Sequence, residues 1–388
     1  MFSTRLPASL VATPLAAAVA ARRRRPGRLL DLTLSNPTTA GLAYPETLAN
    51  AFSNAAALQY DPDPRGLRSA RQAVANWHES IGDTVSPDHL VLTASTSEAY
   101  SLLFKLLCDP GDRVLVPCPS YPLFEHLAHL DAVAVDRYTF RDAGRWILDE
   151  SELHAAITPT TRALIVVAPN NPTGHVPTAS EWDVMAELCR CHGLALIVDE
   201  VFSAYPLTAD TTHIRTPDIP GVLTFRLNGL SKLIGLPQAK LGWILVKGPD
   251  DDVRTALDAL DVIADTYLSV GTPVQVALPA LLEAGASVRE QILDRVRLNL
   301  VQVASSVVGS TIDVRMPDGG WSVVLRVPCV GGPDDLALAL LDRDIVVHPG
   351  YFYDLPHDGF VVISLLAGEV DVREGLDTLR ALPFFQLA

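Results

Sequence analysis

The sequence has little cysteine and little positive charge. Its 388 residues carry 5 cysteines, namely Cys108, Cys118, Cys189, Cys191 and Cys329, with no CxxC pair and no regular spacing. That pattern argues against a disulfide scaffold or a structural zinc site, and it suits a reducing compartment, the cytoplasm. Against 45 acidic residues stand 30 lysines and arginines, a net charge of −15. Without a basic surplus the chain is a poor candidate for binding nucleic acid. Long apolar runs are also missing. Ala163–Pro169 and Leu194–Val198 fall far short of the roughly 20 residues that a membrane-spanning helix requires. They read as strands buried on both faces. No GxGxxG follows a strand, and neither GxxxxGK[ST] nor HExxH occurs. The 10 histidines show no metal-ligand spacing and read mostly as surface or loop residues.

What is present is a well-buried α/β chain. Hydrophobic residues make up 48% and charged residues 19%, which excludes disorder. The length allows two or three domains, or one large α/β unit with a satellite. Leu10–Ala21 is apolar and is followed by Arg22–Arg25. A secretory signal has the reverse order, so the stretch reads as a first helix and a solvated arginine turn.

Strands are expected at Leu90–Thr93, Arg113–Val116, Ala132–Val135, Ala163–Ala168, Ala195–Asp199, Val222–Leu227 and Gly242–Val246. Helical patterns at Glu98–Leu107, Leu123–Leu130 and Ser180–Cys191 lie between several of them. This alternation implies a mostly parallel sheet with helices on its faces. After about residue 270 the texture changes. A helix is expected over Val288–Val307, with Leu293, Val296, Leu300, Val303 and Val307 on one face. Strands at Ser322–Val327, Asp344–His348 and Gly359–Leu365 follow, so a smaller α+β unit is expected there.

Four segments carry polar residues at the C-terminal ends of expected strands, where open α/β sheets bind ligands. Thr93-Ala94-Ser95-Thr96-Ser97-Glu98 presents amides and hydroxyls to an anion at a helix start, or simply caps that helix. Asn170-Asn171-Pro172-Thr173-Gly174 is a binding loop or a tight turn. Asp199-Glu200 ends an apolar strand, where a carboxylate is costly unless a cation or donor meets it. Helix capping is its structural alternative. Ser231-Lys232 also follows a strand, and a lysine leaving a buried strand is partly desolvated, which favours its neutral, nucleophilic form. Together an anion cradle, a carboxylate, an amide side chain and an imine-forming lysine suit pyridoxal 5′-phosphate.

With these motifs the sequence resembles the class I/II, aspartate aminotransferase-like family of fold-type-I pyridoxal-phosphate enzymes. The resemblance runs from Leu34-Ser35-Asn36-Pro37 through Tyr60-Asp61-Pro62-Asp63-Pro64-Arg65-Gly66-Leu67 to Ser231-Lys232 and beyond. It implies a large cofactor domain over residues 45–285 and a discontinuous small domain over 1–44 and 286–388. It further implies that Lys232 forms the internal aldimine and shuttles a proton. Asp199 keeps the ring nitrogen protonated, Asn171 donates to the phenolic oxygen, and Tyr121 stacks on the ring. Ser95, Thr96, Ser97, Ser231 and Lys240 surround the phosphate, and Tyr60 reaches the phosphate bound by a neighbouring subunit of a homodimer with shared sites. The reaction implied is ping-pong transfer of an amino group from an amino acid or amine to a 2-oxo acid, in amino acid metabolism. A lyase or cyclase acting by β- or γ-elimination is the alternative on the same residues. A silent effector domain of a transcription regulator is a third, disfavoured by the acidic charge and by the lack of a DNA-binding segment before residue 30.

Three positions depart from the family pattern. Phe202 stands where a tyrosine often donates to the phenolic oxygen, so the imine pKa is expected to rise. Lys240 stands where an arginine binds phosphate, which keeps the charge and loses the bidentate fork. Val362, in Gly359–Leu365, stands where an arginine binds the substrate carboxylate, with Arg326 as a candidate substitute. The segment Val347–Tyr353, with His348, Tyr351 and Phe352, is expected to line the side-chain pocket.

Overall fold

The structure, a computed structural model, describes residues 3–7, 11–208, 213–329, 331–356 and 358–382. Its strands begin with β1 (Leu30–Asp31), β2 (Leu90–Thr93), β3 (Arg113–Cys118), β4 (Ala134–Asp142) and β5 (Trp146–Leu148). They continue with β6 (Thr161–Val167), β7 (Ala195–Asp199), β8 (Thr224–Gly229) and β9 (Gly242–Lys247). Then come β10 (Asp313–Arg315), β11 (Ser322–Arg326), β12 (Ile345–Val346), β13 (His348–Pro349) and β14 (Phe360–Ser364).

β2 to β9 form one 8-stranded sheet in the order β2-β9-β8-β7-β6-β3-β4-β5. The strands β8, β7, β6, β3 and β4 are mutually parallel, while β9 and β5 run antiparallel to their neighbours. Alternate residues of these strands enter two cores. Val114, Val116, Ile165 and Ile197 meet Ala99 and Leu103 of the helix Thr96–Leu107 and Leu257 of the helix Asp250–Asp265. Leu115, Leu164, Leu196 and Val198 meet Trp182 and Met185 of the helix Ala179–His192. Each Leu or Ile so buried stabilises by roughly 1.5–3 kcal/mol. Continuous apolar runs are the signature of a strand covered on both sides.

The order of the sheet decides where a ligand sits. From β3 the chain moves outward to β4, and from β6 it moves the other way to β7 and β8. The sequence direction therefore reverses between β3 and β6, which opens a crevice at their carboxyl ends. β2 is antiparallel to β9, which is antiparallel to β8. The carboxyl ends of β2 and β8 and the start of β9 thus share that edge. Gly229 and Gly242 pair there, and a side chain on Gly229 would come within 2.9 Å of the Gly242 backbone. Only glycine permits this approach.

A second, 4-stranded antiparallel sheet has the order β10-β11-β14-β13. β1, near the chain start, pairs with β12, so the early residues do return to the late ones. The helix Ala286–Ser306 packs with its buried residues at Val288, Ile292, Val296, Asn299, Leu300 and Val303. The deepest seam runs through Ile292 rather than the expected Leu293, because Asn299 must face inward. Its amide donates to the Leu365 and Ala367 carbonyls, both at 2.8 Å.

Other expectations shift. The strand expected at Ala132–Val135 is β4, which runs on to Asp142 and pairs with β5 as a hairpin. Its charged residues Asp136, Arg137 and Arg141 hide the strand from an apolar-run criterion, and Asp136 is ion-paired to Arg113 across the ladder. The first helix is Pro14–Arg23; Leu10, its expected start, lies outside the described residues. The arginine run is only partly solvated. Arg22 pairs with Asp344 at 2.5 Å and Arg23 with Asp31 at 2.8 Å, which ties this helix to the ends of β1 and β12. His78 and His175 are buried beside Asp83 and Glu181, each at 3.1 Å, rather than at the surface.

Candidate active site

The crevice at the sheet edge is a cleft of about 590 Å³. It gathers Ser95, Thr96 and Ser97 after β2, Tyr121 after β3, Asn171 after β6 and Asp199 at the end of β7. Ser231 and Lys232 after β8 and Lys240 before β9 complete this wall. The sequence scattered these residues over 146 positions, from Ser95 to Lys240. The parallel ladder brings them to one edge.

Each side chain is held for a local reason. Ser95 is the N-cap of the helix Thr96–Leu107 and its hydroxyl accepts from the Glu98 amide at 3.1 Å. Glu98 in turn accepts from the Ala94 amide at 2.6 Å. The capping alternative therefore holds for the Ser95 hydroxyl, while the first-turn amides and the hydroxyls of Thr96 and Ser97 remain at the cleft. Asp199 is buried and accepts from the Tyr100 hydroxyl and the Val201 amide, both at 3.1 Å. Burial pushes its carboxyl up to about 6, against the pull of those two donors and of Lys232. Glu200 is met by Arg226 at 2.9 Å, and Arg226 also reaches Asp83 at 2.8 Å.

Lys232 is the half-buried amine of the site. Desolvation lowers its pKa, opposed by the Asp199 charge. Its Nζ lies 5.3 Å from the Trp321 ring centre and 6.0 Å from that of Phe202. Its backbone carbonyl accepts from the Tyr205 hydroxyl at 2.6 Å. The ring at 202 therefore packs beside the lysine, and the nearest tyrosine down this loop orients the lysine's main chain. Lys240 sits at φ 53°, in the left-handed region, which turns its side chain into the cleft.

The 4-stranded sheet faces this edge and supplies the other wall, with Trp321, Ser322, His348, Tyr353, Val362 and Ser364. Two expectations need correction here. Arg326 is four residues from Ser322 along β11, roughly 13 Å at the rise of an extended strand. It points at Asp142, 3.8 Å away, and does not line the cleft. Of the expected pocket segment, Tyr351 faces away, its hydroxyl donating to Asp334 at 2.7 Å, and Phe352 packs against the apolar core instead of lining the cleft. Tyr60 is 76% exposed and lies outside the cleft of its own chain. Sequence reasoning missed Tyr100 and Trp321. Tyr100 carried one usable signal, since it stands one helical turn beyond Thr96 on the helix that starts at the cleft.

Comparison with known proteins decides what this geometry belongs to. Residues 30–375 match the profile of aminotransferase class I and II. The chain belongs to that family. Alanine aminotransferase of Mycobacterium tuberculosis is 29% identical over 350 residues, covering 88% of this chain and 76% of that protein. Arginine–pyruvate transaminase of Pseudomonas aeruginosa is 30% identical over 321 residues, covering 80% and 79%. A solved aminotransferase from Escherichia coli shares the fold with a TM-score of 0.86 at 23% identity, over 100% of this chain and 99% of that one. The protein is thus an aminotransferase of pyridoxal-phosphate-dependent type, and these relatives are named for amino-group transfer rather than elimination. No helix among the described residues of the aminotransferase is long and apolar enough to cross a membrane.

Proposed function

We propose that this aminotransferase holds pyridoxal 5′-phosphate against the sheet edge, with Lys232 as its attachment point. The single observation that carries the reading is a half-buried, desolvated lysine and a buried carboxylate, Asp199, at neighbouring strand ends of one cleft. The donor set fits the group. Thr96, Ser97, Ser231 and Lys240 suit a phosphate, at a helix N-terminus where the backbone dipole favours an anion. Asn171 offers an amide to a phenolic oxygen, and Tyr121 a ring face. When bound, the cofactor supplies an aldehyde for the donor's amine and a conjugated ring that takes up the electron pair left at the donor's α-carbon.

The protein's residues then do the rest. Asp199 keeps a proton at the ring nitrogen, and a cation beside it relieves the burial that raises its own pKa. Lys232 Nζ, with its pKa lowered by burial, takes the proton from the donor's α-carbon. Trp321 and Phe202 exclude water around that amine.

The same reading gives a cofactor domain over residues 45–285, a small domain over 1–44 and 286–388, and a homodimer in which the exposed Tyr60 serves the partner's phosphate. The substrates are an amine or amino acid donor and a 2-oxo acid acceptor. Five free cysteines favour the cytoplasm.

Reconstituted holoenzyme should show a visible imine band that is absent in Lys232→Ala. A donor should bleach it and a 2-oxo acid restore it. A Lys232→Ala protein that transaminates at the wild-type rate would overturn the assignment.

A further inference from the structure

The two walls of the cleft differ in charge. The sheet-edge wall carries Lys232, Lys240 and Asp199. Among the described residues, the facing wall carries no formally charged side chain into the cleft. Strand register explains its composition. Ser322 pairs with Ser364, and Val362 pairs with His348 on its other side. Residues directly opposite in an antiparallel ladder share a face, so these four present one continuous surface to the cleft. Val362 is 2% exposed at its centre. His348 Nδ1 and the Tyr353 hydroxyl are 2.9 Å apart, and Ser364 donates to the Leu34 carbonyl at 2.5 Å. Burial lowers the His348 pKa from 6.5 and raises that of Tyr353, so both are neutral at neutral pH. Among the described residues two arginines share this face, Arg315 and Arg326, and both are turned to Asp142, at 2.6 and 3.8 Å, outside the cleft.

We propose that this neutral wall receives an uncharged part of the amino donor, so that preferred donors carry an amide, ester, hydroxymethyl or alkyl group where a common amino acid carries its α-carboxylate. The inference rests on the transaminase reading of the same site. A carboxylate pressed against Val362 and the neutral His348–Tyr353 pair loses hydration and gains no cation, which is unfavourable. An amide or alcohol meets hydroxyls and an imidazole that can both donate and accept. Lys232 and Lys240 do not compensate, because they lie on the opposite wall and are assigned to the cofactor. A 2-oxo acid entering the cleft meets the same wall and is expected to react only at high concentration.

The test separates recognition from turnover. 2-Aminoisobutyric acid and its amide carry two methyl groups and no hydrogen on the α-carbon, so they displace Lys232 from the cofactor but cannot transaminate. Their affinities for the holoenzyme are read from the shift of the visible band, each expressed per unprotonated amine. The amide is expected to bind at least tenfold more tightly than the acid; an acid that binds as tightly or more tightly overturns the proposal. Val362→Arg should move the ratio at least tenfold toward the acid, with Ser322→Arg as the second variant should the first not fold. A ratio unmoved in the folded variant also overturns it. Failure of the transaminase reading looks different: alaninamide and alanine would both leave the cofactor unconverted in a single turnover, while the binding preference of the α-methyl pair persisted.

Discussion

The Tyr100 hydroxyl donates to Asp199 Oδ2 at 3.1 Å, from the first turns of one helix to the end of a strand three ladders away. Both groups are buried, and this bond and the Val201 amide are the two hydrogen bonds that, with the Lys232 charge, hold the Asp199 carboxyl below the pKa its burial alone would impose. Tyr100→Phe removes one of the two. A hydrogen bond to a charged group is worth about 1.5–3 kcal/mol, so kcat/KM should fall roughly 10- to 100-fold. The acid limb of its pH profile should also move to higher pH, because Asp199 ionises less readily. A profile that keeps its acid limb would show that Asp199 does not control it.

Asp199 also makes the stability of the cofactor-free chain depend on pH. Its folded pKa is about 6 against an ordinary value of 3.8. The folded chain holds this proton more tightly than the unfolded one, so stability falls as pH rises through that window. The full effect is about 3 kcal/mol. Asp199→Asn should therefore gain on wild type between pH 3.5 and pH 7, as judged by urea midpoints, while its retention of cofactor weakens. An equal pH dependence in the two proteins counts against a raised pKa.

Arg226 is 4% exposed and lies between Glu200 and Asp83, at 2.9 and 2.8 Å. Lys247 reaches Asp83 as well, at 3.0 Å. Arg226→Met leaves Glu200 with Thr216 alone among its side-chain donors. Removing one partner of a buried pair costs about 3–5 kcal/mol, which equilibrium unfolding will read directly. A loss below about 1 kcal/mol would place the network in solvent-like surroundings.

Lys240→Gln removes the charge and keeps a neutral N–H donor on a side chain one bond shorter. The dissociation constant for pyridoxal phosphate should rise at least about tenfold, the loss of one charge-assisted contact. Pyridoxal, which lacks the phosphate, should bind unchanged. An equal loss for both ligands would move Lys240 away from the phosphate.

Arg326→Ala should leave donor kinetics within about twofold of wild type, since surface pairs contribute about 0–1 kcal/mol. Arg326 is half-exposed and 3.8 Å from Asp142. A selective loss of carboxylate-bearing donors would return Arg326 to the cleft.

Much of the site was legible because strand ends announce themselves. The apolar runs before Asp199 and Asn171 mark doubly covered strands, and a polar residue ending such a run has few structural uses. The outer strand β4 and the edge strand β5 were harder to see, since solvent on one side of β4 lets Arg137 and Arg141 interrupt the pattern. The facing wall was harder still. Nothing local distinguishes Ser322 or Val362 from any strand residue; their function comes from which face the register turns toward the cleft.

The sequence by itself determined the α/β alternation, the strand ends and the residue types at Lys232, Asp199, Asn171 and Lys240, because these depend on local periodicity and on single-residue chemistry. Tertiary structure decided three things that local pattern does not contain. It placed Tyr100 under Asp199, it seated Trp321 against Lys232, and it turned Arg326 away from the cleft and Val362 into it. Each depends on strand order or register, which are set by the packing of residues far apart in the chain.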